Sequence, residues 1–221
     1  MVTLKDIASR AGVSMMTVSR VMNGNQGKVS EKTAARIRAL AEEMGYIPNS
    51  SARSLAAKSS RIIAVILRDS PFYNPLEDPH ASSFLGLITK EVQKRGYYVM
   101  IHFVEDFSDI TFRLRSWNTE GAIFLGLFDE EVRQIQSGNH IPLVFTDSYS
   151  CANQLINIGV DDFPVSDTLP VPLTTIRQDL HRKAAETCRI LFEHIEDPAS
   201  PCESVILDVR LIERDSVKNL T

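Results

Sequence analysis

Gly12 separates two short runs in which apolar residues return at helical spacing, and this arrangement restricts the fold more than any other feature of the chain. In the first run Leu4, Ile7, Ala8 and Ala11 share one face, the pattern of an amphipathic helix. Thr3 and Asp6 precede and enter it at the spacing of a capping box. Gly12 takes the left-handed backbone that stops a helix at least cost, Val13 plugs the turn, and Ser14 is a good N-cap for a second helix. Val18, Val21 and Met22 then face inward, which leaves Met15, Met16, Thr17, Ser19 and Arg20 outside. Exposed methionines make a poor solvent face, but a helix entering the major groove of DNA needs side chains that reach base edges. Arg20 suits bidentate bonding to guanine O6 and N7, and Thr17 and Ser19 suit phosphate oxygens. The competing reading of this segment by itself is an ordinary helical hairpin with a polar face.

The following residues narrow that choice. Ser30 is placed to cap a third helix, in which Ile37, Leu40, Ala41 and Met44 form a stripe that closes a three-helix core before Gly45. Tyr46-Ile47-Pro48-Asn49 breaks it. Asn49 then caps a segment, 50–57, that is helical in propensity but too short to be stable alone. Within it Leu55 stands between Arg53 and Lys58 as an isolated large apolar group. It suits a wedge in a DNA minor groove, or a linker leucine packed on the next domain.

These motifs, T-L-K-D-I-A-x-x-A-G-V-S-x-x-T-V-S-R-V-x-N, then V-S-x-x-T, Y-I-P-N and A-R-S-L, resemble the headpiece and hinge of the LacI/GalR family of bacterial transcriptional regulators. The resemblance implies base reading by Met15, Met16 and Arg20. It implies phosphate contacts from Ser14, Thr17, Ser19, Asn23, the Val29 backbone, Ser30, Thr33, Tyr46 and Asn49, and makes Leu55 the wedge of a hinge helix that orders on the operator. The expected organisation is a helix-turn-helix DNA-binding domain over 1–49, a hinge helix and linker over 50–59, and a larger domain beyond.

Charge follows the same division. Up to residue 60 there are nine cationic residues (Lys5, Arg10, Arg20, Lys28, Lys32, Arg36, Arg38, Arg53, Lys58) against four acids (Asp6, Glu31, Glu42, Glu43), while the whole chain carries −4. A basic head on an acidic body suits a duplex binder, because neutralising phosphates supplies most sequence-independent affinity. Hydrophobic content of 43% over 221 residues supports one small and one larger core. No apolar run reaches membrane-spanning length, no signal-peptide pattern opens the sequence, and Cys151, Cys188 and Cys202 lack metal-site spacing and read as free thiols. A cytoplasmic protein without membrane contact, metal or cofactor is expected. Enzyme motifs are missing too: there is no Walker loop, G-x-S-x-G elbow or H-E-x-x-H, and the five histidines show no ligand spacing.

From residue 60 the period changes. Residues 62–67 are a continuous apolar run of buried-strand length, followed by a helix with Phe84, Leu87, Ile88 and Val92 inward. Strands over 97–103, 121–125 and 141–145 alternate with helices over 110–117 and 130–136, and 156–160 ends the series. The alternation predicts a parallel sheet covered by helices on both faces, with ligands at the carboxyl ends of its strands. Asp69, Phe72, Tyr73 and Asp147 fall there, as effector contacts or as loop-packing residues.

The family resemblance implies that 60–162 is the N-terminal subdomain of a periplasmic-binding-protein-like effector module, and that 163–221 holds the return crossover, a helix over 181–193 and a terminal strand. A second subdomain would be expected after Gly159-Val160-Asp161-Asp162, yet Phe163-Pro164-Val165-Ser166 follows directly. A natural deletion and an error in sequence assembly would both give this text. The fold expected is thus an all-α helix-turn-helix headpiece plus a truncated α/β periplasmic-binding-protein-like domain. Residues 204–212, deprived of their subdomain, are expected as a mispaired or exposed strand. The function expected is a homodimeric repressor on a palindromic operator in double-stranded DNA, its control by a sugar or other small effector weakened. The alternatives are a defective or dominant-negative remnant and a carbohydrate-sensing module.

Overall fold

The computed structural model describes residues 2–24, 29–47, 59–69, 71, 74–136, 141–147, 154–155, 171, 174–201 and 204–216. The chain divides into two compact units, Met1–Lys58 and Ser59–Thr221.

The first unit contains α1 (Leu4–Ala11), α2 (Met15–Met22) and α3 (Glu31–Glu43). Thr3 and Asp6 form a complete capping box: the Asp6 carboxylate accepts from the Thr3 amide at 2.9 Å, and the Thr3 hydroxyl accepts from the Asp6 amide at 3.4 Å. Gly12 stops α1 with φ 62°, a left-handed value that gives its N–H access to the last carbonyls. Ile7, Ala8, Ala11, Val18, Val21, Ala34, Ile37 and Ala41 are buried together, and Val13, Met22, Leu40, Met44 and Tyr46 pack on their margin. Each fully buried isoleucine contributes about 1.5 to 3 kcal/mol, so this small core depends on a few side chains.

The second unit is built on five parallel strands, β1 (Ile62–Arg68), β2 (Tyr98–Val104), β3 (Gly121–Leu125), β4 (Leu143–Thr146) and β5 (Gln154–Leu155), in the order β2-β1-β3-β4-β5. On one face Ile63, Val65, Leu67, Ile123 and Val144 meet Phe84, Ile88 and Val92 of α4 (Pro79–Lys94) and Ala184, Cys188 and Leu191 of α7 (Leu180–Glu196). On the other, Ala64, Ile66, Ala122, Phe124 and Phe145 meet Ile110 and Leu114 of α5 (Ile110–Ser116) and Val132 and Ile135 of α6 (Asp129–Gln136). Alternate residues of one strand therefore serve two cores, which is why β1 reads as an unbroken apolar run. β2 and β4 each begin later than the sequence reading, at Tyr98 and Leu143, and α7 extends to Glu196. The expected final strand at 156–160 and the hinge segment 50–57 lie outside the described residues.

The tail, expected as a mispaired or exposed strand, leaves Ile206, Val209 and Leu211 exposed. Within 204–212, β7 (Arg210–Ile212) forms a ladder antiparallel to β6 (Thr175–Arg177), with Ile176 opposite Leu211. Leu207 is buried in the α4–α7 core while Ile206 stays exposed. Leu207 is the one described residue of the stretch that is buried, and β6 offers β7 a partner.

Candidate nucleic-acid interface

Ser14 accepts from the Thr17 amide at 3.1 Å, and the two hydroxyls are 2.9 Å apart. Ser30 and Thr33 repeat the arrangement at the start of α3, with 3.3 Å from the Thr33 amide and 2.9 Å between the hydroxyls. Both helices thus open on a pair of hydroxyls at the positive end of the helix dipole, an arrangement suited to phosphate oxygens. Asn23 follows α2, its side-chain Nδ2 donating to the Ser19 hydroxyl at 3.3 Å. Val29 and Tyr46 are half-buried against the three-helix core.

Met15 and Met16, at the first turn of α2, are 58% and 62% exposed. Arg20 lies one turn beyond Met16, on the same helical face. Three other arginines of the unit are committed: Arg10 pairs with Glu43 at 2.6 Å, Arg38 with Glu31 at 3.4 Å, and the Arg36 guanidinium donates to the Ala11 carbonyl. Arg20 makes no hydrogen bond or ion pair among the described residues. The unit therefore presents two flexible apolar side chains, a free guanidinium and bracketing hydroxyls on one helix. Asn49 and Leu55 lie outside the described residues.

The strand-end residues of the second unit fall in different surroundings. Asp69 lines a cavity of about 400 Å³ with Phe103, Glu105, Asp106, Asp109 and Arg113. Asp106 there accepts from the Ser108 amide and hydroxyl, which hold its carboxyl below the usual range. Asp147, at φ 52° after β4, faces α7, where the Lys183 ammonium donates to both its oxygens at 2.5 and 2.6 Å. Lys183 is fully buried, with His80 Nε2 at 3.2 Å, Gln178 Oε1 at 3.4 Å and the Phe84 ring centroid at 4.8 Å. Phe72 and Tyr73 lie outside the described residues. The sequence reading did not find Lys183, His80 or Gln178, and only the place of Lys183 within the apolar stripe of α7 pointed to it. It also passed over Arg68, whose guanidinium stands 5.3 Å from the ring centroids of both Phe107 and Phe128 and pairs with Glu131. Among the described residues, no group of three or more His, Cys, Asp or Glu could hold a metal ion, and no helix is long and apolar enough to cross a membrane.

Two family models match the chain: bacterial regulatory proteins of the lacI family over residues 3–49, and a periplasmic binding protein-like domain over 150–217. The maltose regulon regulatory protein MalI of Vibrio furnissii is 36% identical over 100 residues, 45% of this chain and 68% of that protein. MalI of Escherichia coli (strain K12) is 28% identical over 176 residues, 76% of this chain and 49% of its own length. Apart from the Vibrio protein, the chain spans about half the length of such curated relatives, as with catabolite control protein A of Staphylococcus xylosus, of which it covers 48%. The fold is that of the Lac repressor dimer bound to operator and the anti-inducer ONPF, with a TM-score of 0.83 at 19% identity, covering 97% of this chain and 98% of that one. With the helix-turn-helix unit, the parallel α/β unit and the Vibrio relative in agreement, the chain belongs to the lacI family of bacterial regulatory proteins.

Proposed function

We propose that this chain is a sequence-specific DNA-binding transcriptional regulator, a repressor that binds a palindromic operator as a homodimer. The observation that carries the reading is the outer face of α2, where exposed Met15 and Met16 stand beside an uncommitted Arg20 between hydroxyl-capped helix starts. Met15, Met16 and Arg20 read base edges in the major groove. Ser14, Thr17, Ser19, Asn23, Val29 through its backbone, Ser30, Thr33, Tyr46 and Asn49 hold phosphates, and Leu55 enters the minor groove between half-sites. Residues 1–49 are then the reading domain, 50–59 the hinge, and 60–221 what the chain has of an effector module. Such a protein works in the cytoplasm, where its DNA is, and catalyses nothing.

Effector control is weak on this reading. Asp69 and Asp147 offer polar groups at the strand ends, but Asp147 is already engaged by Lys183, and a sugar held on one side loses the enclosure such ligands need. Selection of bound duplexes from a random pool at near-physiological salt tests the proposal. An enriched palindrome with a flexible central step supports it. Monomeric half-sites would mean a remnant that does not dimerise, a reading favoured by the half-length match to the relatives, and no enrichment would refute sequence-specific binding.

A further inference from the structure

β1 is entered through a turn that one carboxylate holds. Glu120, immediately before β3, accepts from the Ser59 hydroxyl at 2.6 Å and the Arg61 amide at 2.7 Å through Oε1, and from the Tyr97 hydroxyl at 3.0 Å through Oε2. The Ser60 amide adds a further bond. Arg61 has φ 54°, a left-handed value uncommon for a residue with a side chain, and it turns successive amides toward one point, making a small anion-binding concavity. Burial opposes ionisation of Glu120, but the bonds from Ser59, Arg61, Tyr97 and Ser60 outweigh it and hold the carboxyl below its ordinary value. The same turn is fastened by the sheet: the Tyr98 amide donates to the Arg61 carbonyl at 2.8 Å, and the Glu120 amide to the Ile62 carbonyl at 2.9 Å. The first residues of the α/β unit are therefore fixed to both strands that flank β1.

From these contacts we infer that Glu120 is a positioning residue for operator binding, its carboxylate fixing the turn 59–61 from which the covalent tether to the DNA-reading unit departs. The inference rests on the DNA-binding reading above. Two reading units that must meet two half-sites at once need their tethers rooted at a defined place and direction, since avidity is lost when geometry forbids simultaneous engagement. A single unit on a half-site has no such requirement. Glu120 touches no base or phosphate in this scheme and acts only through the turn.

The test uses the full chain, its selected palindrome and a duplex carrying one half-site, with Glu120→Ala, Glu120→Gln and Tyr97→Phe compared by fluorescence anisotropy. Amide hydrogen exchange at residues 60–62 reports the turn itself. For Glu120→Ala the turn amides exchange faster and palindrome affinity falls about tenfold, because a smaller fraction of molecules holds the competent geometry, while half-site affinity stays within about twofold. Glu120→Gln keeps the size and part of the accepting capacity, remains folded if alanine does not, and gives a smaller loss on the palindrome alone. Tyr97→Phe leaves the carboxylate on the turn amides and stays near wild type. Equal losses on palindrome and half-site, or unchanged palindrome affinity with faster turn exchange, overturn the inference. A wild-type chain with no preference for the palindrome overturns the dimeric reading and this inference with it, and is recognised before any variant is made.

Discussion

Lys183 and Asp147 make an asymmetric pair, and removing each in turn exposes the asymmetry. Lys183 is fully buried, whereas the Asp147 side chain keeps 26% of its exposure. Asp147→Ala leaves an ammonium inside the α4–α7 core with His80, Gln178 and the Phe84 ring as its remaining company. Breaking a buried pair by removing one partner costs about 3 to 5 kcal/mol; the residual polar contacts place this variant near the lower end, about 3 kcal/mol. Lys183→Met replaces the cation by an apolar side chain of similar length against Phe84, and Asp147 turns its freed oxygens to the water it already meets. That exchange costs about 0 to 1 kcal/mol or stabilises. The double variant should match Lys183→Met, since no charge is stranded. Urea unfolding at neutral pH, followed by fluorescence of the single tryptophan Trp117 in the α/β unit, gives the three values. A cost below about 1 kcal/mol for Asp147→Ala, or a larger cost for Lys183→Met than for Asp147→Ala, would refute the reasoning.

Three further outcomes are expected. Arg20→Ala should weaken specific DNA binding by about 1 to 3 kcal/mol and relax one base position, measured by competition with single-base operator variants; equal loss on every sequence would make it a phosphate contact instead. Cys188, its thiol pushed up to about 12 by burial, should resist alkylation at pH 8 in the folded chain and react once the chain is unfolded in denaturant, as mass spectrometry of the modified peptide would report. Asp6 has its carboxyl lowered by the Thr3 side-chain and backbone bonds, so its contribution to the helical unit is complete above the unfolded carboxylate range and is lost as pH falls through the folded value; Thr3→Ala should flatten that acid limb in melting curves of the helical signal.

The parts legible in the sequence were those whose cause is local. Thr3 with Asp6, Ser14 with Thr17 and Ser30 with Thr33 each meet within a single helical turn, so spacing alone exposed the caps. The alternation of Ile63, Val65 and Leu67 with Ala64 and Ile66 between two cores also leaves a run that reads directly as a buried strand. Lys183 was hidden because its partner Asp147 is 36 positions away, and Glu120 because it bonds to Ser59 across 61. A carboxylate before Gly121 carries no local sign that a turn will close around it. The burial of Leu207 was not legible for the same reason: it depends on a surface made by α4 and α7, not on the residues beside it.

The position of α7 explains how a chain spanning about half the length of relatives such as the Escherichia coli protein still closes its α/β unit. A parallel sheet has to be covered on both faces. α5 and α6 cover one, and α4 leaves part of the other to a helix drawn from beyond residue 170. α7 supplies Ala184, Cys188, Ile190, Leu191 and Phe192 there, and Leu191 approaches Gly121 so closely that a Cβ at that glycine would stand 2.9 Å from Leu191 Cδ1. The Lys183–Asp147 pair fixes the register of this helix as well, because a slip by a turn would leave the ammonium buried without its carboxylate. The same pair that fixes the helix also occupies Asp147, a carboxylate placed where a strand-end ligand would sit. Closing the core and engaging that group are thus one structural event, since the ammonium that anchors α7 is the one that holds both oxygens of Asp147.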